Sequence, residues 1–151
     1  EGAVSALASS AWATANRAIY VPVGIAEPLL VTLLWVINGA TVSGNIDIGI
    51  YDEAGTRVVS AGSTAQTGAS VAQTFNVADT LIGPGIFYIA VVLDNTTGTV
   101  QDQRVSYSVA QYRCRGALQQ SSAFPLPATA TFATLTSISV PLAGFTGAAL
   151  L

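Results

Sequence analysis

The sequence predicts an all-β fold, an antiparallel β-sandwich of jelly-roll or immunoglobulin-like type with an arm at each end. Three observations lead there. From Arg17 onward, short β-rich runs are separated by Gly, Asn, Asp and Pro at the spacing of a sandwich or barrel. Ile46, Ile48 and Ile50 alternate with Asn45, Asp47 and Gly49, the period-two signature of a strand with one apolar face. Two more runs, Leu29 to Ile37 and Ile86 to Leu93, are apolar at both parities, as in strands covered on both faces.

Taken in order, Glu1 to Ala15 is small and Ala/Ser-rich, with Trp12 as its one large anchor, and reads as an arm or short helix more than a strand. Residues 1–16 are therefore assigned to an N-terminal arm, 17–124 to the sandwich, and 125–151 to a C-terminal arm or a last strand packing on a neighbour. The run from Leu29 to Ile37 favours a strand over a buried helix because it is rich in β-branched and aromatic residues. Its second face is covered either by something packed outside or by a neighbouring subunit. The isoleucine strand should be half buried, with Tyr51 facing outward. Asp52-Glu53-Ala54-Gly55 fits a tight hairpin turn with Gly55 at positive φ, leading into Thr56 to Ser60.

Val71, Gln73, Phe75 and Val77 form a weaker alternating strand, and Val105, Tyr107 and Val109 a third. Gly83-Pro84-Gly85 opens the strand from Ile86, and Asp94-Asn95-Thr96-Thr97-Gly98 closes it. Pro125 and Pro127 mark a boundary, since proline fixes φ. Beyond them a β-like texture resumes over Thr129 to Leu142, with Phe132, Ile138, Val140 and Leu142 on one parity. There is no internal repeat and no heptad pattern.

At 151 residues the chain is one domain long and should hold one core. It is 51% hydrophobic and only 9% charged, too little charge to coat an isolated particle of this size. All five cations are arginines, at 17, 57, 104, 113 and 115, and the net charge is -3. Nucleic acid is not an expected partner, because a phosphate track needs clustered cations. Nor is a membrane, despite a mean hydropathy of +0.57. The densest apolar run, Leu29 to Ile37, falls well short of the roughly 20 residues a membrane helix needs. The first residues do not resemble a signal peptide, and the absence of Met at position 1 suggests a processed or partial product.

Chemistry is hard to place on this chain. It has no histidine, hence no common general base, zinc ligand or partner for a nucleophilic Ser or Cys. Cys114 is the only cysteine, so no internal disulfide forms; flanked by Arg113 and Arg115 it could be reactive, but a small half-buried side chain near a strand end is the plainer reading. Carboxylates could serve glycosidase chemistry or calcium binding, yet Asp52, Glu53, Asp94 and Asn95 sit where turn chemistry alone accounts for them. No Gly-x-Ser-x-Gly elbow and no lysine-bearing phosphate loop is present, and no catalytic residue, metal or cofactor is expected. Asn95-Thr96-Thr97 fits the glycosylation triplet, with the turn again the simpler explanation. Trp35 reads as core. Tyr51, with Asp52, Asp94 and Asn95 in nearby loops, is the best available glycan contact.

The feature that points to a function class is the end of the chain. The 36 residues from Gly116 to Leu151 contain no charged side chain. Hanging free, such a segment would expose a large apolar surface, so protein must cover it, either this chain's own core or a neighbour. The expected assembly interface comprises Trp12, Phe124, Leu126, Phe132, Leu135, Ile138, Val140, Leu142, Phe145, Leu150 and Leu151.

Gly44-Asn45-Ile46-Asp47-Ile48-Gly49-Ile50-Tyr51-Asp52, the turn at Gly55, Gly83-Pro84-Gly85-Ile86-Phe87-Tyr88-Ile89 and Asp94-Asn95 together resemble the β-sandwich modules of tailed-bacteriophage virion proteins. The resemblance covers about Val31 to Thr97, and similar runs occur in carbohydrate-binding and protease-appended sandwiches. It implies a non-enzymatic decoration, capsid or tail component, a homo-oligomer and often a trimer, whose terminal arms lace it to its own copies and to other virion proteins. Its location would then be the virion, assembled in the host cytoplasm. A carbohydrate-binding or adhesion module is the alternative.

Overall fold

In this computed structural model the described residues are 8–102, 109–137 and 139–149. The strands are β1 (Ala8–Ala11), β2 (Ala18–Ile25), β3 (Leu29–Ile37), β4 (Asn45–Asp52), β5 (Arg57–Ser60), β6 (Thr64–Ala65), β7 (Ala72–Ile82), β8 (Gly85–Leu93) and β9 (Thr99–Asp102). After a short helix α1 (Val109–Cys114) come β10 (Leu118–Gln120), β11 (Ala133–Thr134) and β12 (Ala143–Ala149). The larger sheet runs β11-β10-β2-β8-β4-β5, with β6 also on β4; the smaller runs β12-β3-β7; β1 and β9 form a two-stranded ribbon. Every pairing is antiparallel. The fold is the predicted all-β sandwich.

The core lies between the two main sheets. Ile46, Ile48 and Ile50 of β4 and Ile89, Val91 and Leu93 of β8 meet Val31, Leu34 and Val36 of β3 and Phe75 and Val77 of β7 in one buried cluster. The hairpin from β4 to β5 turns where expected. Gly55 has φ of 87°, which an L side chain would resist, and its N–H donates to the Asp52 carbonyl at 3.0 Å. The Asp52 carboxylate accepts the Thr56 N–H at 2.7 Å, so this acid has a turn role. Asp94 does similar work at the close of β8. Its carboxylate accepts the Asn45 N–H at 3.0 Å and bonds both the Asn45 and Asn95 side-chain amides. Those bonds, that of Asn95 first, hold its pKa below the ordinary 3.8.

The second face of β4 departs from expectation. Asp47 and Tyr51 are both fully buried, and the strand is covered on both sides. The cover is the chain's own segment between β10 and β11, from Ser121 to Phe132, which folds back over the outside of the larger sheet. Leu126 sits between Pro125 and Pro127 at 1% exposure, and a Cβ placed on Gly49 would stand 3.1 Å from its Cδ1. Gly49 is thus the notch that admits Leu126. The Leu126 N–H donates to Asp47 Oδ2 at 3.0 Å, Arg57 donates to the Leu126 carbonyl, and the Tyr51 hydroxyl donates to the Pro127 carbonyl at 2.6 Å. Arg57 N–H to Ala128 carbonyl and Ala130 N–H to Gly55 carbonyl continue the lacing. Beneath this strap a second apolar cluster gathers Ala18, Tyr20, Tyr51, Ala90, Val92, Ala123 and Leu126, with Phe132 edge-on to Tyr20 at 5.1 Å. Tyr51 therefore faces the strap and not solvent.

The ends correct the arm assignments. Ala8–Ala11 is a strand on β9, and Trp12 is 3% exposed in the chain's own core, its indole N–H donating to the Arg17 carbonyl at 3.0 Å. At the other end, the expected Thr129 to Leu142 strand reduces to β11 and irregular chain, and the long pairing comes later. β12 adds to β3 in seven register pairs, from Ala143 opposite Val36 to Ala149 opposite Leu29. Small residues make that possible: Gly144 lies opposite Trp35, whose ring occupies the space a side chain there would need. Of the third alternating run, Val105 and Tyr107 lie outside the described residues, while Val109 begins α1 and not a strand. Cys114 ends that helix and is exposed.

Candidate assembly surface

The interface expected from sequence is, in the main, interior. Leu126 and Leu135 are 1% and 0% exposed, and Trp12 and Val140 are buried as well. Phe145 packs on the main core, and Phe124 and Phe132 on the cluster under the strap. Leu142 is half-buried; Ile138, Leu150 and Leu151 fall outside the described residues. A side chain with no surface in the single chain has none to offer a neighbour. The uncharged C-terminal segment is covered chiefly by its own sandwich, which uses it twice, as the strap over one sheet and as an edge strand of the other.

The expected glycan contacts do not form a platform. Tyr51 is buried, and burial, with Tyr20 beside it, pushes its pKa above the ordinary 10.0. Tyr20 itself rises to about 12, chiefly through burial, partly offset by its hydrogen bond with Tyr51. Asp52, Asp94 and Asn95 are half-buried and engaged in their turns. The Asn95 amide donates to the Ser43 carbonyl at 2.8 Å and its oxygen accepts the Thr97 and Gly98 N–H groups, so the glycosylation triplet serves as a turn. Among the described residues no group of three Asp, Glu or Cys side chains could hold a metal ion. No described helix is long and apolar enough to cross a membrane.

What remains open is the outer face of the β12-β3-β7 sheet. Across it, Ile37 pairs with Ala72, Trp35 with Thr74 and Gly144, Leu33 with Asn76 and Thr146, and Leu30 with Leu81 and Ala148. No residue in these registers is charged. Asp79, the sole charge in the three strands, falls in the irregularity between Asn76 and Thr80. Leu81 is 55% exposed, Leu30, Leu33, Trp35 and Ile37 are half-buried, and Thr74, Asn76, Thr146 and Ala148 are exposed. Trp35, which the sequence places in the core, is instead half-buried on a sheet face.

This face was encoded by the doubly apolar parity of Leu29 to Ile37. The same pattern in Ile86 to Leu93 is accounted for within the chain from Tyr88 onward, because Ala90 and Val92 lie under the strap and Tyr88 meets Phe132 at 4.9 Å, while Ile86 stays 47% exposed. For β3 only the inner parity, Val31, Leu34 and Val36, is fully buried.

The strap carries one titration of consequence. Asp47 has its pKa raised above the ordinary 3.8, mainly by burial, against the opposing pull of the Leu126 N–H and Arg57. A raised folded-state pKa means that Asp47 favours the fold fully below the ordinary value and that this favour is lost as pH rises through the folded value. Asp94 has the opposite sign: its lowered pKa stabilises above the ordinary value and is lost in acid. The expected result for Asp47→Asn follows. Its melting temperature, relative to the unaltered chain, is most favourable at neutral pH and declines toward acid. Calorimetry across that range checks the slope, and a difference that stays flat or rises in acid contradicts it.

Comparison of the chain with protein-family models, with curated proteins and with solved structures finds no match.

Proposed function

We propose that the chain is a structural protein of a virion, a shell, decoration or tail component that acts by packing against other subunits and not by catalysis. The observation that carries this reading is the outer face of the β12-β3-β7 sheet, with Leu30, Leu33, Trp35 and Leu81 across it and no charge among its paired residues. A contiguous apolar patch on a soluble domain marks a contact surface more often than chance exposure. The strand and turn motifs that resemble phage virion sandwiches agree with that use, as does the low overall charge. The contact surface differs from the one the C-terminal segment suggested, since that segment is spent on the chain's own fold.

Immunogold labelling of particles from the source, with antibody raised against the folded domain, tests the proposal. Gold at regular spacing on shells or tails is the expected result. Particles that carry no label, while the protein is abundant in the soluble fraction, would overturn it.

A further inference from the structure

We propose that the occupant of the β12-β3-β7 face is a second copy of this chain, seated face to face about a two-fold axis. This rests on the reading of the chain as an assembly component and names its partner. The first argument is charge. Any charged group brought against Leu33 and Trp35 would lose its water without gaining a counter-charge, because no paired residue of the sheet is ionisable and the one charge of its strands, the exposed Asp79, stands on the edge strand β7 outside those registers. The fitting partner is a flat surface without charge at its centre, and the same face of another copy, with β3 in the middle, is one. A two-fold contact is self-complementary by construction, so one sequence pattern satisfies both sides.

The second argument is the demand made by the sequence of β3. Both parities of Leu29 to Ile37 are apolar, and the outer one, with Leu30, Leu33 and Trp35, is only half-buried by its own sheet. Two sheets facing at about 10 Å would bury it as a sandwich core buries the inner parity.

Area sets the strength. Nine residues at about 3.3 Å rise and three strands at about 4.8 Å spacing give a footprint of roughly 400 Å² per copy, or about 800 Å² for the pair. A stable dimer buries about 1,200–2,000 Å², so this contact is weak and reversible in solution, and holds where many copies are gathered.

Sedimentation velocity on the full chain tests this, from about 10 μM to about 1 mM, the range in which weak contacts populate. The expected result is a mass rising with concentration from 15.4 kDa toward twice that value. Asn76→Arg, on an exposed residue beside Leu33 that the fold can spare, should hold the chain at the monomer mass; Leu33→Glu should do the same where it folds. A monomer at every concentration overturns self-pairing, and so does a dimer that Asn76→Arg leaves intact. Neither outcome touches the labelling of particles, which judges the proposed function separately.

Discussion

A chain ending at Pro127 does not fold: far-ultraviolet circular dichroism during urea titration shows no cooperative transition where the complete chain has one. The truncation deletes β12 and with it one of the two antiparallel partners of β3. It also removes Leu135 and Val140 from the buried core and Phe145 from its flank. Fully burying a Val, Leu or Phe side chain contributes about 1.5–3 kcal/mol. Three such losses approach the roughly 5–15 kcal/mol that holds a domain together, before the bared edge of β3 is counted. The strap loosens too, since the Ala128 and Ala130 bonds to Arg57 and Gly55 and the Phe132 ring over Tyr20 go with it. Had these residues served only a neighbour, the truncated chain would stay folded. A cooperative transition close to that of the full chain would show that the segment is dispensable to the sandwich.

Leu126→Ala lowers stability by about 2–5 kcal/mol, the range for a buried leucine cut back to alanine. On a domain of this size the melting temperature falls by roughly 10 °C. Leu126 fills the notch over Gly49, and the groups around it are hydrogen-bonded to its own backbone, so the strap cannot close inward over the vacancy. The loss should be local before it is global. Tyr51 and Tyr20 lose their cover, and the near-ultraviolet dichroism of the tyrosines weakens at temperatures where the far-ultraviolet signal is still native. A stability change under about 0.5 kcal/mol, the ordinary effect of a surface substitution, would mean that Leu126 is not the plug the packing makes it.

The elements legible in the sequence were those set by local chemistry. The alternation of Ile46, Ile48 and Ile50 names the inner face of β4, and Gly55 names the turn after it, because side-chain period and positive φ are properties of a few adjacent residues. The turn roles of Asp52 and Asp94 were readable for the same reason. Tyr51 was misjudged because alternation tells which residues share a face and not what lies over it. The cover comes from Leu126, 75 positions later in the chain, a pairing that no local pattern announces. The helix at Val109 was missed because a run of six residues is too short to display its own period.

By itself, the sequence determined the class of the fold, the place of its hairpin turns, and the requirement that an uncharged end be sheltered, since each follows from residue type and spacing. The tertiary structure decided what does the sheltering. Apolar burial is non-directional, so a greasy segment accepts any apolar face within reach, and only the closed topology shows that its own two sheets claim it first. By the same selection it decided which apolar parity, that of Leu30, Leu33 and Trp35, was left facing outward.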